Sequence, residues 1–168
     1  MTSQAFRGRR RRLEPDAYRG EAAVAFTLCI AGRTPVFTED GLVRSLVTAL
    51  GQECAAHGCV VPVYCFMPDH VHVLTQGKTA TADGWRAIVR FKQRSGYQLA
   101  RRSPAVRWQP SFHDHVLRSQ EDVAAHARYV ADNPVRAGLV SSWEAYPFVG
   151  AIGIGLEDML WSLATRGR

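Results

Sequence analysis

Met67-Pro68-Asp69-His70-Val71-His72-Val73-Leu74 sets two imidazoles two residues apart in an apolar, β-branched run. Side chains alternate along a strand, so His70 and His72 share one face while Val71 and Val73 point to the other. Pro68 lacks a ladder donor, which places it at the strand's start or on an edge. Two neighbouring imidazoles on a rigid strand are half of a divalent-metal site. Tyr129-Val130-Ala131-Asp132-Asn133-Pro134 is a candidate for the other half. Ser119-Gln120-Glu121-Asp122 reads as a helix start, a Ser cap followed by acids that the helix dipole favours. The helix is predicted to run through Val123, Ala124, Ala125, Ala127 and Val130, to falter near Asn133 ahead of Pro134, and to stop by Gly138. Tyr129 and Asn133, at i and i+4, then share a face with His126 at i−3. That face carries a phenol nucleophile beside a possible third metal ligand. A phenol ionises near pH 10 and is a poor nucleophile at neutrality, so such a site needs positive charge close by.

Taken singly, each feature has an ordinary explanation. A His-x-His pair can lie on the solvated face of an edge strand, a helical Tyr can sit at a core boundary, and an Asn before Pro can be a turn residue. Their co-occurrence in one small chain is what carries weight. The two segments together resemble the HUH endonucleases, and among them the single-tyrosine, insertion-sequence-like transposases. The likeness is greatest to the REP-associated tyrosine transposases, which show a Met-Pro-Asn/Asp-His-Val-His-Leu-type segment and a Tyr-x-x-x-Asn-Pro-Val-Arg-Ala-Gly-Leu-Val segment. Here these read Met67 to Leu74 and Tyr129 to Val140. Trp108-Gln109 and Phe112-His113-Asp114-His115-Val116-Leu117-Arg118 resemble the stretch before the tyrosine helix in that family. The resemblance runs from about Glu21 to Pro147.

The resemblance implies that His70, His72 and Asn133 bind Mg²⁺ or Mn²⁺. It implies that Tyr129 attacks a phosphate of hairpin-bearing single-stranded DNA, leaving a 5′-phosphotyrosine and a free 3′-hydroxyl. A divalent ion withdraws charge from the scissile phosphate, and two imidazoles plus one amide leave positions open for phosphate oxygens and water. His126, His113, Asp114 and Arg118 are candidates for a supporting shell or for DNA contacts. Two other readings stay open. One is a domesticated protein that binds hairpins without cutting them. The other is a metal-dependent phosphoesterase using His113-Asp114-His115 as a second pair, although Val73 and Val116 stand where two-histidine phosphoesterases carry a hydroxyl.

Charge points to a polyanion partner. The 168 residues carry a net charge of +6, and Arg7, Arg9, Arg10, Arg11 and Arg12 supply five of those charges within the first twelve positions. Such an arm reads either as a phosphate-binding tail or as a solubilising one. Between Trp85 and Trp108 lie Arg86, Arg90, Lys92, Arg94, Arg101, Arg102 and Arg107 with no acid. On a helix over about 83–101, Arg86, Arg90 and Arg94 form one stripe that Tyr97 and Arg101 extend, with Ile88, Phe91 and Leu99 facing inward. This stripe is expected to contact the DNA backbone.

The elements that must position these residues follow the order β-α-β-β-α-β-α. Strands are predicted at Ala22–Ile30, Cys59–Phe66, His70–Thr75 and Phe112–Leu117, and helices over 40–57, 83–101 and from Ser119. That order predicts an α+β, ferredoxin-like antiparallel sheet with helices packed on one face. The expected limits are a basic arm over 1–20, the transposase-like domain over 21–147 and an extension over 148–168, in which Leu156–Thr165 forms a short helix. Cys29, Cys54, Cys59 and Cys65 lack paired metal hooks, and Cys29 and Cys65 read as buried thiols. No stretch is apolar enough to span a membrane and the N-terminus has no apolar signal core, so a cytoplasmic, nucleoid-associated location is expected. Either a monomer or a homodimer fits.

Overall fold

The computed structural model describes residues 13–157. Strands β1 (Ala23–Cys29), β2 (Cys59–Met67), β3 (His70–Gly77), β4 (His113–Leu117) and β5 (Val149–Ile152) form one antiparallel sheet in the order β4-β1-β3-β2-β5. Helices α1 (Asp40–Ala56) and α2 (Gly84–Arg102) join β1 to β2 and β3 to β4. The first four strands give the expected ferredoxin-like arrangement. Helix α3 (Gln120–Ala131) and the single turn α4 (Asn133–Arg136) follow β4.

Strand parity sorts the molecule into two faces. Phe26, Val73, Tyr64 and Asp114 are paired across the strands and share one face. On that side α1 and α2 close the core: Phe26, Phe37, Phe66, Phe91, Leu46, Leu50 and Ile88 are all at most 2% exposed. The Phe37 ring stands edge-on to Phe66 at 5.3 Å and lies 5.5 Å from Trp108. Trp108, also buried, donates its indole N–H to Ser95 Oγ at 2.9 Å, which satisfies the only polar atom of that ring. The predicted inward residues of α2, Ile88, Phe91 and Leu99, are buried in this layer.

β2 and β3 form a hairpin with only Pro68 and Asp69 between the paired Met67 and His70. Pro68 therefore sits in the turn, where no ladder donor is required. The turn is anchored from outside the hairpin: Pro68 O accepts from Val36 N (2.7 Å) and Phe37 N (3.0 Å), and Asp69 O accepts from Ile30 N (2.9 Å).

The fold is wider than the sequence limits. At the front, Pro15–Tyr18 makes a 3₁₀ turn that buries Tyr18 against Phe26. At the back, β5 extends the sheet past Pro147 by pairing with β2. Its Phe-Val-Gly-Ala-Ile-Gly sequence hides the strand because glycine weakens any strand pattern. The structure supplies the reason for Gly150: a Cβ there would lie 2.6 Å from the Tyr64 hydroxyl oxygen. All four cysteines are free and buried, and burial pushes the Cys65 thiol up to about 12. No described helix is long and apolar enough to cross a membrane. Arg7 and Arg9 to Arg12 of the basic arm, and most of the predicted helix Leu156–Thr165, lie outside the described residues.

Candidate active site on the histidine face

The other face of the sheet carries His70 and His72, with Cys29 and Thr27 beside them on β1 and Met67 and Cys65 on β2. His113 and His115 lie on this same face, because His113 pairs with Thr27 and His115 with Ala25. Asp114 does not: it turns to the core side and accepts a hydrogen bond from the Tyr18 hydroxyl. That corrects its expected place in a supporting shell, and strand alternation is the cause.

The imidazoles of His70 and His72 meet edge to face, with their Nε2 atoms 3.1 Å apart. Each Nδ1 is held from outside. His70 Nδ1 lies 2.6 Å from Asp69 Oδ1, and Asp69 in turn pairs with Arg33 at 2.7 Å. His72 Nδ1 lies 3.0 Å from the Thr27 hydroxyl. Burial would raise the Asp69 carboxyl, but the His70 hydrogen bond and the Arg33 charge together hold it below its usual value. An ionised carboxylate only accepts, so His70 donates from Nδ1, and in the neutral tautomer its Nε2 carries the lone pair that faces His72. Burial, reinforced by the charges of His70, His126, Arg136 and Arg33, pushes His72 down to about 4. His72 is thus a neutral imidazole at pH 7, the form that ligates metals.

The hydrogen bonds form a consistent chain. Thr27 can donate to His72 Nδ1 while His72 Nε2–H donates to His70 Nε2. A hydroxyl can equally accept, so reversing Thr27 releases both Nε2 lone pairs toward one point. An octahedral ion bonded at about 2.1 Å holds neighbouring ligands about 3.0 Å apart, close to the observed separation. The pair could therefore hold one divalent ion, with Asp69 and Thr27 as the outer partners that histidine ligands characteristically have. No cluster of three or more His, Cys, Asp or Glu side chains suited to a metal occurs among the described residues. An Asn amide oxygen is a donor type outside that set.

Helix α3 covers this face. Ser119 caps it, as the sequence predicts, and Asp122 completes a capping box that the structure reveals (Ser119 Oγ accepts from Asp122 N at 3.0 Å). Its inner residues are small or branched: Val123, Ala124, Ala127, Val130 and Ala131 are buried, and the helix packs on β2 of its own chain. His126 is half-buried; burial and then His115 press its imidazole toward the neutral form. A cavity of about 500 Å³ opens between β4 and α3, lined by His115, Leu117, Arg118, Asp122 and His126.

The break before Pro134 is shallow. Asp132 keeps a right-handed helical backbone, so α3 passes almost directly into α4 and Asn133 stays one turn beyond Tyr129. Tyr129 is 54% exposed, its ring 6.0 Å from His126 on one side and covered by the Arg136 guanidinium at 3.9 Å. Arg136 donates to Tyr129 O (2.9 Å) and to Asn133 Oδ1 (2.7 Å). Asn133 Nδ2 is buried without a hydrogen-bond partner.

The structure thus lays α3, which carries His126 and Tyr129, over the face of His70 and His72, with Asn133 at the start of α4. It does not bring the α2 cations to them. Arg86, Arg90, Lys92, Arg94 and Arg101 belong to the helix on the opposite side of the sheet, and several are engaged there. Arg94 pairs with Glu53 at 3.4 Å and Lys92 donates to Pro110 O at 2.9 Å. The neighbouring Arg102 grips Glu39 with two bonds. Sequence reasoning did not single out Thr27, Arg33 or Arg136. Thr27 and Arg33 are remote in sequence from the motif, so only register and the Ile30–Val36 connection reveal them. Arg33 is the one described non-glycine residue with positive φ (57°), the kind of conformation that surrounding structure must enforce.

Residues 20–133 match the family model described as "Transposase IS200 like", a span that holds both histidines, Tyr129 and Asn133. A Haemophilus influenzae protein assigned to the REP-associated tyrosine transposases is 26% identical over 135 residues, covering 73% of this chain and 76% of that one. The REP-associated tyrosine transposase of Escherichia coli is 28% identical over 109 residues, covering 61% and 62%. Among solved structures, a REP-associated tyrosine transposase bound to a REP hairpin superposes with a TM-score of 0.69 at 22% identity, over 84% of this chain and 81% of that one. At that identity the likeness establishes the fold.

Proposed function

The chain belongs to the IS200-like transposase family, and on that premise we propose that it is a metal-dependent endonuclease and strand transferase of single-stranded, hairpin-bearing DNA, of the REP-associated kind. The observation that carries this reading is the convergence of two Nε2 atoms at 3.1 Å, each ring steadied through Nδ1, on the face covered by the helix of Tyr129.

In this reading His70, His72 and Asn133 hold a Mg²⁺ or Mn²⁺ ion, whose chemistry is to withdraw charge from the scissile phosphate. The Tyr129 oxygen attacks phosphorus as its proton leaves to solvent, and the bond to the 3′ oxygen breaks. That oxygen takes up a proton, and the 5′ phosphate stays esterified to Tyr129. Because the phosphotyrosine conserves the diester's energy, a free 3′-hydroxyl can reverse the step without a nucleotide cofactor. Exposure of Tyr129 suits this role, since a nucleophile for a macromolecular strand must be reachable. Arg136 supplies permanent positive charge beside it. The REP hairpin in the similar complex makes hairpin DNA the natural substrate to test, and the α2 stripe and the arm Arg9 to Arg12 are proposed to serve more distant backbone.

The decisive test is a denaturing gel of the protein with end-labelled hairpin oligonucleotides, in Mn²⁺ or in EDTA. The expected outcome is a covalent adduct that requires Mn²⁺ and is lost in Tyr129→Phe and His70→Ala. Binding without an adduct would identify a non-cleaving hairpin binder. Cleavage that survives Tyr129→Phe would mean that another group, with His113 and His115 the first suspects, is at work.

A further inference from the structure

Asn133 is held in a way that its part in metal binding does not explain. Its Oδ1 is bound by Arg136 at 2.7 Å, while its Nδ2 is a buried donor facing nothing. Leaving a buried amide donor unsatisfied is costly, so this arrangement is one the surroundings impose. The constraint is local. Pro134 fixes the turn, and Arg136, three residues on, reaches back across it to both Asn133 Oδ1 and Tyr129 O. The same guanidinium lies over the Tyr129 ring and its charge is felt at His72. One exposed cation thereby touches the third ligand and the nucleophile, within electrostatic reach of the first two ligands.

We propose that Arg136 is a gate that couples metal binding to DNA binding. This rests on the metal-site reading given above. Bonded to Asn133 Oδ1, the guanidinium competes for that oxygen and sets a positive charge where a dication must approach, so it weakens the third ligand. A DNA phosphate offers the guanidinium a better acceptor, since a planar fork matches a phosphodiester in geometry and charge. Arg136 then moves from the amide to the phosphate and leaves Oδ1 to the ion. The phosphate also screens guanidinium from dication. Coupling of this kind is reciprocal: whatever factor DNA adds to metal affinity, metal adds to DNA affinity.

The test measures free Mn²⁺ by electron paramagnetic resonance during titration of four proteins, all carrying Tyr129→Phe so that DNA stays intact. They are the otherwise unaltered chain and Arg136→Gln, Arg136→Lys and His72→Ala. Each is titrated with and without a hairpin oligonucleotide. The unaltered site is expected to bind Mn²⁺ at least 10-fold more tightly with the hairpin. Arg136→Gln is expected to bind at least 10-fold more tightly than the unaltered site without DNA, and to gain less than twofold from it. Arg136→Lys keeps the charge but lacks the planar fork, and should fall between the two. Arg136 is exposed, so thermal melts by circular dichroism should overlay. A merely structural arginine would weaken metal binding when replaced, the opposite sign. Equal or weaker affinity in Arg136→Gln without DNA overturns the gate. Should even the unaltered site show no Mn²⁺ binding that His72→Ala removes, the metal-site reading itself fails, a distinct result.

Discussion

Along β3, neighbouring residues serve opposite ends. Val71, Val73 and Thr75 are at most 1% exposed and lie under α1 and α2 in a layer of phenylalanines and leucines. His70 and His72, on the same strand, face α3, a helix whose buried side chains are alanines and valines. The first face settles its few polar side chains in separate bonds, Trp108 with Ser95 and Tyr18 with Asp114; the second carries a network in which each nitrogen of His70 and His72 has a partner. Tight packing on one side fixes the strand rigidly enough to set two nitrogens 3.1 Å apart on the other. The lighter covering on the histidine side leaves Tyr129 and a cavity beside His115 and His126 accessible. Stability and chemistry are thus divided by strand parity, and substitutions should separate them.

The largest separation is expected from Tyr129→Phe, which should reduce covalent adduct to background on a denaturing gel. Its melting temperature should stay within about 2 °C, because an exposed hydroxyl contributes little to folding. Phe91→Ala should do the reverse. Removing a fully buried aromatic costs roughly 3–5 kcal/mol in denaturant unfolding, while residual folded protein keeps its Mn²⁺ affinity. A third test uses acid. His72 titrates at about 4 in the folded chain against 6.5 in an unfolded one, so between these values the unfolded chain binds more protons. Stability measured in EDTA should therefore be full above about pH 6.5 and fall as pH drops toward 4, by on the order of 3 kcal/mol. His72→Gln should lack that component. The smallest effect is expected from Thr27→Val, which keeps the shape but removes the partner of His72 Nδ1. A loss of roughly 10-fold in Mn²⁺ affinity, with unchanged unfolding, would match a supporting hydroxyl. A large loss of stability instead would show that the two faces are not separable there.

Most of the histidine face could be read in the chain because its parts are short and local. A His-x-His pair on a strand and a Tyr-x-x-x-Asn pair on a helix need only periodicity to be placed on common faces. The cap at Ser119 likewise depended on four consecutive residues. What escaped was set by pairing between distant segments. Asp114 looked like a site residue beside His113 and His115, yet register turns it to Tyr18. The α2 stripe had the right spacing and charge, but nothing in its own sequence says which side of the sheet its crossover takes. Gly150 in strand β5 and Gly153 just after it have their reasons in a tyrosine hydroxyl and a valine side chain far away in sequence. Arg33 acts through an uncommon backbone conformation, and Arg136 through a reach across one turn.

The two-residue turn at Pro68-Asp69, pinned by backbone bonds from Ile30, Val36 and Phe37, has a consequence for errors in folding. A slip of β3 by a single residue would exchange its two faces, driving both imidazoles into the phenylalanine layer and the valines out under α3. A slip of two residues would keep the histidines outward but displaced, and the bonds that Ile30, Val36 and Phe37 make to the turn oppose it. A one-residue error in this hairpin therefore removes the imidazole pair from its face altogether, and the pinned turn guards the pair as much as it guards the core.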